Sequence, residues 1–125
     1  GRILVGSCGT LLGEVQYVKE TPYRNFLILN TGMHHLIRPS LYEAYHRIMP
    51  LHEHGERTEK KYDVVGPICE SSDVLGKDRI LPEVRQGEWL AIADAGAYGI
   101  AMASTYNEHE LPDQYFMEAG KILNG

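Results

Sequence analysis

Cysteine is nearly missing from this 125-residue chain: Cys8 and Cys69 stand alone, with no CxxC pair. A disulfide framework and a zinc ribbon are thereby excluded, and two free thiols fit a reducing cytoplasm. Metal ligation is poorly supplied too. The six histidines cluster only at His34-His35 and His52-Glu53-His54. Both clusters read as polar loop or turn segments, so no metal is expected. Basic charge is also short. A net charge of −5 argues against a nucleic-acid partner, because phosphate binding needs a positive face; a local pocket for a small anion stays open. No apolar run approaches the ~20 residues of a membrane helix. The opening Gly1-Arg2-Ile3-Leu4-Val5-Gly6 has neither an initiator Met nor a signal-peptide layout, so a piece of a longer chain is expected.

What is there suits one ordinary globular domain, residues 1–125, with 43% hydrophobic and 23% charged residues. Arg2 to Cys8 reads as β-like. From Leu11 to Lys19, apolar and polar residues alternate as in a strand. Leu11, Val15, Tyr17 and Lys19 share one parity, and Leu12, Glu14, Gln16 and Val18 the other. Thr21-Pro22 and Arg24-Asn25 mark a turn into the buried-type run Phe26-Leu27-Ile28-Leu29, which predicts a hairpin. A short helix is expected from about Pro39 to Ile48. Pro39 suits its first turn, and Leu41, Ala44, Tyr45 and Ile48 follow at helical spacing. Glu53 to Lys61 reads as a solvated loop, Tyr62 to Gly66 as a strand, and Ser71 to Arg79 as a polar turn region. Trp89 to Ala93 and Ala101 to Tyr106 read as two more strands. Many short strands with Gly and Pro punctuation predict a mainly β fold, an antiparallel sandwich or Greek-key barrel with one short helix near residues 39–48.

Three segments carry residue types suited to chemistry. In Gly32 to Tyr42, Arg38 and Tyr42 are one helical turn apart and can point the same way. A guanidinium beside a phenol makes a carboxylate clamp; the alternative is a surface Arg and a half-buried Tyr. In Gly66 to Asp73, Cys69 adjoins Glu70 in a Gly-, Pro- and Ser-rich loop. A free thiol is mostly protonated at neutral pH and can donate a proton, while a carboxylate can bind an ammonium. The alternative is a small buried hydrophobe beside an exposed acid. In Asp94 to Gly99, two glycines around a tight turn allow close backbone approach, and Tyr98 can donate to a phosphate oxygen. Here the alternative is a strand-end turn with a packing Tyr.

Together and in this order, the three segments resemble the β-domain of the fold-type III pyridoxal-phosphate decarboxylases, the group acting on ornithine, arginine and diaminopimelate. Leu36 to His46, Val65 to Ser71 and Ala91 to Gly99 are most similar to the diaminopimelate branch. Gly1-Arg2 matches the end of that branch's Glu-Pro-Gly-Arg segment, and the likeness extends to about Pro112. The tail from Asp113 to Gly125 carries no motif.

The resemblance implies a set of roles. Arg2, Arg38 and Tyr42 would bind an amino-acid substrate. Gly1, Arg2 and Tyr98 would lie at the cofactor, pyridoxal 5'-phosphate, with Tyr98 also touching substrate. Cys69 would be the catalytic proton donor, and Glu70 would hold the substrate's distal amino group. Cys69 and Glu70 would act in the partner subunit's site, implying a homodimer in the cytoplasm. The Schiff-base lysine would lie in an N-terminal barrel outside this chain, because Lys19, Lys60, Lys61, Lys77 and Lys121 match no such motif. His34-His35 departs from the more Asn- and Asp-like residues expected there. Pairing Arg38 with Glu70 suits diaminopimelate, which is zwitterionic at its distal end. The alternatives are the β-domain of an arginine, ornithine or carboxynorspermidine decarboxylase, and a non-catalytic β-barrel binding module.

Overall fold

The computed structural model describes residues 1–53 and 55–123; the reading of His54 as part of a polar cluster lies outside them, as do the last two residues of the tail. A short helix α1 (Arg2–Val5) and a 3-10 turn (Gly6–Cys8) precede the strands β1 (Leu11–Glu20) and β2 (Asn25–Leu29). The helix α2 (Arg38–Tyr42) leads to β3 (Ile48–Pro50), followed by β4 (Glu59–Val65), β5 (Val74–Pro82) and β6 (Trp89–Ile92). A terminal hairpin, β7 (Phe116–Glu118) and β8 (Lys121–Leu123), forms a separate small sheet.

The main sheet has the order β3-β6-β1-β2-β4-β5. It is mixed rather than purely antiparallel, because β2 and β4 run parallel. Parallel neighbours need a long crossover, and residues 30–58, with α2 and β3, supply it. Since β1 is antiparallel to both β2 and β6, strands β2, β4 and β6 all point the same way. Their C-terminal ends therefore lie on one rim, together with the start of β1. The curled sheet brings its edges together: Arg79 of β5 donates to the His46 carbonyl just before β3 at 2.7 Å.

The inward faces bury one core of Val15, Leu27, Leu29, Leu36, Ile48, Tyr62, Val64, Leu75, Leu81, Val84, Leu90 and Ile92. The β1–β2 hairpin forms as its alternation predicts, with one correction. Val15 pairs with Leu29 but Tyr17 with Ile28, so Gln16 is an extra residue in a bulge. The bulge exchanges the two parities: Tyr17 turns outward, and Val18 opposite Leu27 packs against the core.

Other segments depart from the sequence pattern where tertiary contacts win. Arg2 to Cys8 is helical rather than extended. The helix expected over 39–48 ends at Tyr42, because Glu43 takes a left-handed conformation with φ +54°. Beyond it the chain is captured as an edge strand, Ile48 pairing with Ile92, and Tyr45 stacks under the Arg79 guanidinium at 4.1 Å. Strand β4 begins at Glu59, inside the stretch read as loop, and most of Ser71 to Arg79 is strand β5. Ala101 to Tyr106 is not a strand; two 3-10 turns, Ile100–Met102 and Tyr106–Glu108, occupy that region. His34 and His35 form a turn, but a buried one. Among the described residues no helix is long and apolar enough to cross a membrane.

Candidate functional site

All three chemistry-bearing segments sit on the rim where β2, β4 and β6 end. The loop after β2 carries His34, His35 and α2, the loop after β4 carries Cys69 and Glu70, and the loop after β6 carries Tyr98. The chain entering β1 brings Gly1 and Arg2 to the same side.

A buried carboxylate fastens the first two loops. Asp73 is 2% exposed; its Oδ1 accepts the Met33 N–H at 2.6 Å and its Oδ2 the Ile68 N–H at 2.8 Å. Gly32 and Gly66 make room for it. A Cβ on Gly32 would lie 2.5 Å from Asp73 Oδ1 and 2.8 Å from the Gly66 backbone. Burial pushes the Asp73 carboxyl above its usual range, and the two backbone N–H groups partly offset this. Ser40 of α2 adds a second tie, donating to the Ser72 carbonyl at 2.5 Å. Helix α2 is thus anchored to the Cys69 loop, and Arg38 and Tyr42, four residues apart on one turn, are held at the rim.

Cys69 and Glu70 occupy the exposed tip of that loop. Within this domain, therefore, Cys69 does not pack into the core. Glu70 accepts from Ser72 Oγ at 3.3 Å and from the Tyr106 hydroxyl.

The third loop is packed through glycine but bent through other residues. A Cβ on Gly96 would collide with the Val5 carbonyl and lie 2.8 Å from Gly9 N, and the Gly96 N–H donates to the Gly6 carbonyl at 3.0 Å. The turn is therefore locked onto the 3-10 turn behind Arg2. A Cβ on Gly99 would collide with the Ala95 carbonyl, so glycine there lets the turn close on itself. The left-handed conformations fall on Asp94 (φ +59°) and Tyr98 (φ +58°). Such a backbone in a bulky residue is a strained arrangement that clusters at functional sites. Tyr98 is 54% exposed and so is not packed into the core of this domain.

Charge is unevenly used. Arg24 pairs with Asp63 and Asp78, Arg57 with Glu88 and Lys60 with Glu20. Among the described residues neither Arg2 nor Arg38 makes an ion pair, which leaves both guanidiniums open to an anion. No lysine occurs in residues 1–10, 30–47, 66–73 or 93–110. The rim thus offers phenol, guanidinium and backbone donors to a phosphate-bearing cofactor, but no amine to bond it covalently.

Residues 4–96 match a family described as pyridoxal-dependent decarboxylase, C-terminal sheet domain. The chain belongs to that family. Over 98% of its length this sheet domain is 45% identical to the diaminopimelate decarboxylase of Aquifex aeolicus, and over 92% it is 51% identical to that of Bacteroides thetaiotaomicron. It spans 29% of each relative. The crystal structure of the M. jannaschii diaminopimelate decarboxylase in co-complex with L-lysine superposes on 98% of the chain with a TM-score of 0.92 and 41% identity, covering 28% of that protein.

Two contributors to the sheet domain's rim escaped the sequence reading. Asp73 was visible only as an acid closing a Gly- and Pro-containing loop, a position where Asp commonly binds backbone N–H groups. Its partner Met33 is 40 residues away, so no local signal exposed the tie. Tyr106 fell in a stretch read as strand, and its reach to Glu70 depends on the 3-10 turn that replaces it.

Proposed function

We propose that this chain, residues 1–125, is a single domain that completes the active site of a cytoplasmic diaminopimelate decarboxylase converting meso-diaminopimelate to L-lysine. One observation carries the reading: the unpaired Arg38, the exposed Cys69-Glu70 tip and the strained Tyr98 converge on one rim of a domain that belongs to this family. The relatives named above are diaminopimelate decarboxylases, and one was crystallised with L-lysine.

Pyridoxal phosphate, when bound, supplies the electron sink that lets carbon dioxide leave. Tyr98 and Arg2, with the backbone at Gly1, would hold it, while its lysine comes from outside this chain. Arg38 and Arg2 take substrate carboxylate, Arg38 with a two-pronged donor face and Tyr42 beside it. Glu70 binds the distal ammonium. These contacts fix the substrate so that the bond to be broken is oriented. The Cys69 thiol then gives its proton to the carbon that lost carbon dioxide, and the thiolate regains one from solvent. The exposed tip bearing Cys69 and Glu70 suits a pair that works in a partner subunit's site, within a homodimer.

The full-length enzyme should release carbon dioxide from meso-diaminopimelate with kcat/KM about 10,000-fold or more above that for ornithine or arginine, the scale on which a site built to hydrogen-bond a substrate group rejects an analogue lacking it. Equal or better turnover of ornithine or arginine would overturn the substrate assignment.

A further inference from the structure

Residues 99–110 cross the rim as a strap, and nothing in the roles above uses them. The strap is seated on the histidine turn. The Ser104 N–H donates to the His34 carbonyl at 2.7 Å, His35 Nε2 meets the Glu110 carbonyl at 2.7 Å, and the His109 ring lies 4.8 Å from that of His34. Immediately after Tyr106, both Asn107 (φ +56°) and Glu108 (φ +62°) are left-handed. A bend this costly persists only where surrounding contacts enforce it. At its outer side the Tyr106 hydroxyl donates to Glu70 Oε1, while Ser72 Oγ approaches Oε2 at 3.3 Å. Each oxygen of Glu70 is therefore held by a donor from a different segment.

We propose that Tyr106 is a positioning residue that aims the Glu70 carboxylate at the substrate's distal ammonium. The inference rests on the reading of Glu70 as the amine-binding group. An ionised carboxylate has about four lone-pair sites, and two are engaged here. The remaining two stay free to accept from an ammonium. The chemistry of the holder matters: a phenol orients the carboxylate without cancelling its charge, whereas an Arg or Lys in its place would compete with the substrate's own cation. The bond to Glu70, and then its negative charge, push the Tyr106 hydroxyl above its usual range, so it stays a donor throughout the working pH range.

The test uses the full-length holoenzyme. Tyr106→Phe keeps the ring and loses the donor. KM for diaminopimelate should rise about tenfold, the scale of one hydrogen bond to a charged group, with kcat within about twofold and cofactor absorbance unchanged. Glu70→Gln should raise KM further, and Tyr106→Phe should add nothing on the Glu70→Gln background, since the two act as one unit. With 2-aminopimelate, which lacks the distal amine, Tyr106→Phe should change nothing. An unchanged KM in Tyr106→Phe, with Glu70→Gln impaired, would overturn the positioning role and leave the reading of Glu70 intact. An unimpaired Glu70→Gln would overturn both. Additive losses, or an equal loss with 2-aminopimelate, would make Tyr106 a general support of the strap and also overturn the proposal.

Discussion

At the scale of single residues, the groups proposed to carry the chemistry are exposed and those that hold their loops in place are buried. Cys69, Glu70, Tyr42 and Tyr98 face solvent, while Asp73 and His34 beneath them are nearly inaccessible. Asp73 gives one oxygen to each of two loops, and no neutral residue repeats that pattern. An amide offers one acceptor and turns a donor toward the other N–H. Asp73→Asn should therefore lower stability by about 1–3 kcal/mol, the cost of a buried polar group left without its partner. The checks are the denaturant midpoint and faster exchange of the Met33 and Ile68 amides. An unchanged midpoint with protected amides would show that the two loops hold together without it. Arg38, Tyr42, Cys69, Glu70 and Tyr98 stand in strings that carry the family resemblance, which is how the sequence offers them as candidates, although each taken alone also admits a plain structural reading. Asp73 is not offered in this way, because its meaning depends on a partner forty residues away.

At the scale of elements, short pieces hold the rim. Helix α2 is five residues long, and Glu43 in the left-handed region ends it where the apolar spacing of Ala44, Tyr45 and Ile48 called for two more turns. That spacing is shared by the two unlike jobs the residues perform, an Arg79 stack for Tyr45 and strand pairing for Ile48. The strap is seated just as sparingly, on two hydrogen bonds to backbone carbonyls and a group of tilted imidazoles. His34 and His35 centroids are 3.9 Å apart, and neither ring nitrogen of His34 meets a hydrogen-bonding partner among the described residues. Burial first, and the neighbouring His35 and His109 next, bring the His34 pKa down from 6.5 to about 4. Between those values the unfolded chain binds a proton that the native chain refuses, so stability rises with pH through the window and is lost as pH falls from about 6.5 to about 4. His35 is lowered by burial in the same sense, whereas Asp73, pushed upward by burial, acts oppositely toward the acid end. His34→Phe keeps a flat ring and removes the titration. Its urea midpoint should fall less steeply over that range than the parent's, and parallel slopes would rule out His34 as the source.

At the scale of the whole molecule, strand direction gathers the site. Because β2, β4 and β6 run the same way, the loops that follow them share one rim, although Arg38, Cys69 and Tyr98 are about thirty residues apart in sequence. The proposed dimer extends that logic across subunits. Cys69→Ala replaces a small exposed side chain and should leave assembly and cofactor binding intact, while slowing turnover by about 100-fold or more. Mixed with a parent subunit lacking its cofactor-bearing lysine, the variant should regain activity. After random exchange about half the dimers are mixed, each with one intact site, so about a quarter of all sites should recover under two-fold symmetry. No gain after verified exchange would exclude action across the interface. The sequence by itself determined the family, the β-rich character and the β1–β2 hairpin, and it supplied the side chains proposed to react, all of which reside in contiguous strings or local alternation. Only the tertiary structure decided that β2 and β4 are parallel, that Gln16 forms a bulge, that Val74 to Pro82 is strand and that Ala101 to Tyr106 is not. It alone decided the Asp73 tie and the grip of Tyr106 on Glu70. The physical reason is common to all of them: each depends on hydrogen bonds or packing between residues distant along the chain, where long-range contacts outweigh local preference.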